Sequence, residues 1–150
     1  MKSLFNIEAH QEILSRINKL TEASEGQWGK MKVAQMLCHC QYPLKIGLGK
    51  YNQKNKPNPI FKLMGKFFRK SLYNDKPWRK NLPTAKKIKV VEDKDFETEK
   101  EKLVNLVNDF HQEKERKNWD PHPVFGSFTP EQWGQMQYKH LDHHLRQFGV

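Results

Sequence analysis

The sequence predicts an all-α protein with four principal helices and a helical excursion between the second and the third. Three observations predict this class. Apolar residues recur at three- and four-residue spacing in four separate segments, as in helices that bury one face. Helix-start signals precede the third and fourth segments. Only KIKVV fits a short strand, and it fits an extended connection equally well.

The length and composition favour one domain that spans residues 1–150. Hydrophobic residues make up 36% of the chain and charged residues 29%, so we expect a modest core. Nine Phe, four Trp and four Tyr can supply much of its buried area.

The first two helices are predicted within residues 6–22 and within WGKMKVAQMLCHCQYPLKIGLG. The apolar positions of the first are Ile7, Ile13, Leu14, Ile17 and Leu20. Those on one face of the second are Val33, Met36, Leu37, Cys40 and Leu44. Pro43 is expected to kink the second helix.

The excursion occupies residues 50–92, a basic segment interrupted by prolines. Its amphipathic run IFKLMGKFFRKSLY predicts a short helix outside the main bundle. A homodimer through Phe61, Phe67 and Phe68 is an open alternative to a monomer.

The third helix, in DFETEKEKLVNLVNDFHQEKERKNW, begins after the N-cap Asp95. Its predicted buried stripe is Phe96, Leu103, Val107 and Phe110. The fourth follows in FTPEQWGQMQYKHLDHHLRQFG, where Thr129 caps, Pro130 takes the first position and Gln132 completes a capping box. Gly149 is the expected stop.

The net charge of +10 invites a nucleic-acid interpretation. The lysines are spread along the chain, however, and the densest segment, residues 45–89, carries no recognised nucleic-acid motif. A solvated basic surface is the favoured interpretation, because charge alone does not specify a partner.

Cys38 and Cys40 stand two residues apart, on nearly opposite sides of a helix, so they suit neither a disulfide nor a shared ion. No apolar run is long enough to cross a membrane, and MKSLFNIEAHQEIL lacks a signal-peptide pattern. We therefore expect a reduced, cytoplasmic protein without membrane contact.

The last helix carries three histidines within five positions. At about 100° per residue, one inward stripe contains Trp133, Gln137, His140, Leu141, His144 and Phe148. His143 falls to the side of this stripe. Imidazoles at i and i+4 can converge on one ion about 2 Å from each nitrogen. Spacing alone leaves metal binding and two hydrogen-bonded core histidines about equally supported.

A third ligand must come from elsewhere, and the candidates are His10, His39, His111 and His122. His39 lies near the edge of the second helix's apolar face, where a helix-flank role fits slightly better. His10 and His111 stand among polar residues and are interpreted as solvated. His122 lies between two prolines, where it either lines the mouth of a site or packs on Trp119.

The motifs WGKMKVAQMLCHC, HPVFGSFTPEQWG and QYKHLDHHLRQFG together resemble the DinB/YfiT-like superfamily of metalloenzymes, and more closely a bacterial branch known only as a domain of unknown function. The resemblance covers essentially the whole chain. It implies an up-down-down-up four-helix bundle with a three-histidine metal site. His39 matches the ligand of the second helix, and His140 and His144 match the H-x-x-x-H pair of the last.

The resemblance also implies a class of chemistry. Some relatives transfer low-molecular-weight thiols and others isomerise thiol-linked substrates. We therefore expect a divalent ion, zinc or nickel, with positions open for water or thiol, and a thiol transferase or hydrolase acting on a small electrophile. A non-catalytic metal- or ligand-binding bundle and a basic nucleic-acid-associated protein are the alternatives.

Overall fold

A computed structural model describes residues 1–51, 65, 67–83 and 88–150. Within these ranges the chain forms four α-helices and no strand, which confirms the all-α class. The helices are α1 (Ile7–Asn18), α2 (Val33–Gly47), α3 (Phe96–Gln112) and α4 (Pro130–Gln147). Short 3-10 turns cover Arg69–Leu72 and Glu113–Glu115. No helix of the described ranges is both long and apolar enough to cross a membrane.

The predicted helix ends of α3 and α4 are confirmed. The Asp95 side chain accepts the backbone N–H of Thr98, which pairs one of the free amides of the first turn. Thr129 and Gln132 form the reciprocal capping box at the start of α4. After α4, Gly149 adopts a φ of +76°, a left-handed conformation that favours glycine and ends the helix.

The core lies between the apolar faces of the four helices. Every residue predicted to be buried on α2 and α3 is buried, and so is the α4 stripe that includes His140 and His144. The prediction for α1 was partly wrong: Ile13, Ile17 and Leu20 are buried, whereas Ile7 in the first turn is 50% exposed and Leu14 is half-buried.

The excursion is described only in part. Residues 60–64 and 66 of the predicted short helix lie outside the described residues, and this range includes Phe61 of the predicted dimer surface. Phe67 and Phe68 are 80% and 59% exposed. The described part of KIKVV, residues 88–91, forms no strand.

Two close contacts set how α4 lies against its neighbours. The Gly134 carbonyl accepts the Leu4 backbone N–H at 3.0 Å, and a Cβ on Gly134 would stand 2.6 Å from Cδ2 of Phe5. A Cβ on Gly47 of α2 would stand 3.3 Å from the Trp133 ring. These glycines let the first turn of α4 approach α2 and the N-terminal segment closely. The approach places the next turns of α4, which carry the histidines, against α2.

Candidate metal centre

Three imidazoles from two helices meet in the core. His39 of α2 is 3% exposed, and His140 and His144 of α4 are each 8% exposed. One ring nitrogen from each lies within 4.8 Å of the other two. The inward direction of the α4 pair follows from the helical phase. The inward direction of His39 does not follow from its helical phase, and the sequence pattern alone slightly favoured a helix-flank role for this residue.

Two of the rings are held in a defined tautomer. His39 donates its Nδ1–H to the Ile88 carbonyl at 3.0 Å, and His144 donates its Nδ1–H to Oε1 of Gln147 at 2.9 Å. The Gln147 amide is oriented in turn, because its Nε2 donates to the Trp28 carbonyl at 2.6 Å. Since Nδ1 carries the proton in both rings, each neutral ring presents a bare Nε2, the arrangement found when an outer acceptor orients a metal-binding histidine.

The separation of the inner nitrogens suits a shared ion. His39 Nε2 and His140 Nε2 are 3.3 Å apart, a distance that also fits a hydrogen bond between one protonated and one bare nitrogen. Two nitrogens at about 2.0–2.1 Å from a tetrahedral zinc would be about 3.3–3.4 Å apart. The Nδ1 of His140 is buried and has no hydrogen-bond partner within the described part of the chain, so no acceptor there fixes the tautomer of this third ring. The donor set therefore fits a divalent transition metal that accepts imidazole nitrogen.

Burial keeps the three rings neutral. Desolvation is the main cause that lowers the pKa of each, and the neighbouring imidazoles lower the pKa of His140 and His144 further. The pKa of His144 falls to about 3, and that of His140 lies well below its usual value. Only neutral imidazole binds a metal, so the fold presents these nitrogens in their binding form at neutral pH.

His143 lies beside the cluster and not on its inward stripe. Its ring centroid is 5.1 Å from that of His144, 5.9 Å from Trp28 and 5.6 Å from Trp78. It is half-buried, and burial lowers its pKa. His143 therefore forms part of the wall around the cluster.

The interpretation of His10 and His111 as solvated was wrong. His10 is buried and stacks on His111 with ring centroids 4.1 Å apart. His10 donates from Nε2 to Oδ1 of Asn108 at 2.9 Å, and His111 donates from Nδ1 to the Leu4 carbonyl at 2.8 Å. The polar neighbours along each helix wrongly indicated solvent exposure, because each ring is covered by the other ring across the contact between α1 and α3.

His122 is also separate from the three-histidine cluster. Its Nδ1 accepts the backbone N–H groups of Val124 and Phe125, at 3.1 and 3.3 Å. A two-way backbone pairing with Gly126 closes this turn. Desolvation lowers the pKa of His122 to about 4. The residue organises a loop against Trp133, with ring centroids 5.9 Å apart.

A segment of the excursion covers the cluster. The Trp78 ring stands 6.0 Å from that of His140. Lys139, which is buried, holds this segment by donating from Nζ to the carbonyls of Ser71 and Asn74 at 2.7 and 2.8 Å and to Oδ1 of Asn74 at 2.6 Å. Trp78 Nε1 also donates to the Ser71 carbonyl, at 2.8 Å. The sequence pattern could have indicated Gln147, which stands at i+3 from His144, but it carried no signal for Trp78 or Lys139.

Comparison with known proteins gives one match. The model of a family described as a protein of unknown function (DUF1569) matches residues 1–149. No curated protein and no solved structure matches the chain.

Proposed function

We propose that this chain, which belongs to the DUF1569 family of proteins of unknown function, is a metal-dependent enzyme that binds a divalent ion through His39, His140 and His144. The observation that carries the proposal is the convergence of three imidazoles, two of which have defined tautomers. Nε2 of His39 and His140 are 3.3 Å apart, and the Nδ1–H groups of His39 and His144 are held by outward acceptors. Zinc and nickel are the ions that this donor set suits best.

The reaction class proposed is thiol transfer or hydrolysis on a small electrophilic substrate, with a low-molecular-weight thiol or water as the nucleophile. A divalent ion supplies Lewis-acid chemistry that stabilises developing negative charge. The chain's own contribution is to hold three neutral nitrogens in place and to keep bulk water out. Burial of all three ligands and the cover provided by Trp78 support that role.

The class is also supported by the resemblance to the DinB/YfiT-like superfamily, whose helix order we propose for this chain. Contacts between helices support the up-down-down-up order. Arg16 of α1 bonds Asp142 of α4, and Gln41 of α2 bonds Glu99 of α3. The Tyr138 hydroxyl also donates a hydrogen bond to Glu12. This pair lies one turn before the Arg16–Asp142 pair on both α1 and α4, as expected for parallel helices.

A non-catalytic metal site is the second candidate, and the low exposure of the ligands favours it. Structural sites are closed by four protein ligands, whereas catalytic sites keep a position open. Cobalt(II) in place of the native ion separates the two, because its visible spectrum reports coordination and changes when a thiol is added to an open position.

The central test is elemental analysis of protein purified without a histidine tag, together with two matched variants. We expect about one metal ion per chain in the wild type. His144→Ala should lose most of it and His143→Ala should keep it, because only His144 shares the inward stripe with His140. Equal losses would contradict the assignment of the ligands.

A further inference from the structure

We infer that the cleft beside the three-histidine cluster binds an oxyanion group, so that the substrate of this site carries a carboxylate or a phosphate. The inference rests on the proposed function, because it assigns a substrate class to the same site. The cleft lies between two indoles, those of Trp28 and Trp78, and has a volume of about 60 Å³. Its other lining residues are Pro77, Lys80, Lys139, Asp142, His143 and Arg146.

Three cationic side chains line the cleft, and two of them, Lys80 and Arg146, have N–H groups available to bind an anion. Lys139 directs its ammonium group to the carbonyls of Ser71 and Asn74, which hold the covering segment. Lys80 places its ammonium over the Trp28 ring, 4.6 Å from the centroid. This contact positions the ammonium through the ring face and leaves its N–H groups to donate to a ligand.

The acidic lining residue offsets only part of these charges. Asp142 Oδ1 accepts a hydrogen bond from Arg16 Nη1 at 2.8 Å, so its charge is already paired across the α1–α4 contact. Arg146 forms an ion pair with the other oxygen of Asp142, with Nη1 at 3.8 Å, which is too long for a hydrogen bond. The guanidinium of Arg146, at the last turn of α4, therefore keeps donors for an anion, and Lys80 supplies the second positive charge.

The cleft lies beside the histidine cluster. His143 lines it, and the His143 ring stands 5.1 Å from that of His144. Trp78 faces both His143 and His140, with ring centroids at 5.6 and 6.0 Å. The carbonyl of Trp28 holds the amide that orients His144. An anion in the cleft would therefore lie next to the proposed metal ligands, where the charged end of a substrate would be anchored.

The size of the cleft limits what it can hold. A buried water needs about 10–15 Å³ by the same measure, so about 60 Å³ accommodates roughly four waters or one carboxylate or phosphate group. A drug-sized ligand would not fit. The cleft is thus suited to the headgroup of a substrate whose reactive part extends toward the histidines.

The test is a titration with inorganic phosphate and, separately, with acetate at constant ionic strength. The readout is the indole N–H resonances of Trp28 and Trp78 in nuclear magnetic resonance spectra. Each titration is run on zinc-loaded and on chelator-treated protein. The variants are Lys80→Gln and Arg146→Gln.

The matched control is Lys50→Gln, which removes the same charge from a residue paired with Asp109 at 2.6 Å. Lys50 lies three residues after Gly47, which packs on Trp133. Trp133 precedes Arg146 by 13 residues on α4, a distance of about 20 Å along the helix. The control charge therefore lies far from the cleft.

We expect saturable shifts in the wild type and in Lys50→Gln, with and without zinc. In Lys80→Gln and Arg146→Gln the dissociation constant should rise about tenfold or more, equivalent to about 1.4 kcal/mol. Tighter binding of phosphate would identify a phosphorylated substrate, and tighter binding of acetate a carboxylate.

Failure of this inference and failure of the proposed function give different results. The absence of saturable shifts with either anion, or an equal loss in Lys50→Gln, would overturn the oxyanion cleft. Elemental analysis of the same samples reports the metal site independently. Protein that never holds metal but binds the anion through Lys80 and Arg146 would support the cleft and overturn the metal-dependent function.

Discussion

Gln147 should control metal affinity although it is not a proposed ligand. Its Oε1 accepts the Nδ1–H of His144 at 2.9 Å and its Nε2 donates to the Trp28 carbonyl at 2.6 Å. Gln147→Leu keeps the approximate size of the side chain and removes both hydrogen bonds. The His144 ring then loses the acceptor that fixes its tautomer and orientation, so we expect the affinity for zinc to fall about 10- to 100-fold.

The variant should also lose folding stability. The buried Nδ1–H of His144 and the Trp28 carbonyl would each be left without a partner, at a cost of about 1–3 kcal/mol for each group. Gln147→Glu separates the two effects. Its carboxylate can still accept from His144 but cannot donate to Trp28, so it should keep most of the zinc affinity while losing stability.

The assay is competition for zinc against a chromophoric chelator at pH 8, paired with urea unfolding of each metal-free protein. Gln135→Leu is the control, because Gln135 lies on the same helix and its amide bonds only the exposed Glu131 in the described structure. Zinc affinity that is unchanged in Gln147→Leu would refute the positioning role. An equal loss of affinity in Gln147→Glu would show that the Nδ1–H acceptor is not the cause.

Three further expectations concern His39, His122 and Gly134. In thermal melts at pH 8 with zinc or nickel at ~100 times the dissociation constant, the free energy of unfolding of the wild type should rise by about 2.7 kcal/mol over that of the chelated protein. The rise should be smaller at pH 5.5, because protons compete with the metal for the imidazoles. His39→Ala should lose most of the rise, and an equal rise in this variant would exclude His39 as a ligand. Because burial lowers the pKa of His122 from ~6.5 to about 4, the unfolded chain binds more protons between these values, so stability should fall by up to about 3 kcal/mol as pH drops from about 6.5 to about 4. His122→Asn keeps an acceptor for the Val124 N–H. In urea melts across this pH range, the free energy of unfolding of this variant should change with pH less steeply than that of the wild type, by up to about 1.4 kcal/mol per pH unit. An unchanged slope would assign the loss of stability to other groups. Gly134→Ala should cost about 1–3 kcal/mol in urea melts, because its Cβ would overlap Ser3 Oγ and stand 2.6 Å from Phe5 Cδ2. A cost below about 0.5 kcal/mol would mean that the N-terminal segment moves to make room for the added methyl group.

The features predicted correctly from the sequence are those that local chemistry determines. The Asp95 cap, the Thr129–Gln132 capping box and the inward phase of His140 and His144 each depend on residues within one or two helical turns. The residue types at a helix start identify the two caps, and a 3.6-residue repeat identifies the inward phase.

The features that helical periodicity does not determine depend on contacts between distant segments. His39 points inward because α4 packs over it and the Ile88 carbonyl, 49 residues away in the chain, accepts its proton. His10 and His111, interpreted as solvated, are covered by stacking on one another across two helices. Periodicity within one helix carries no information about which neighbour covers its flank, so it could not show that these histidines are covered.

The placement of the histidines has a consequence for folding kinetics. His39 and His140 are 101 residues apart in the chain, so an ion held by both would close a loop of about that length, as a disulfide does. A contact between such distant segments forms slowly compared with the local turns of the helices. Stabilising a contact that is absent from the folding transition state slows unfolding and leaves the folding rate nearly unchanged. An ion captured after α2 and α4 have met would therefore extend the lifetime of the native state.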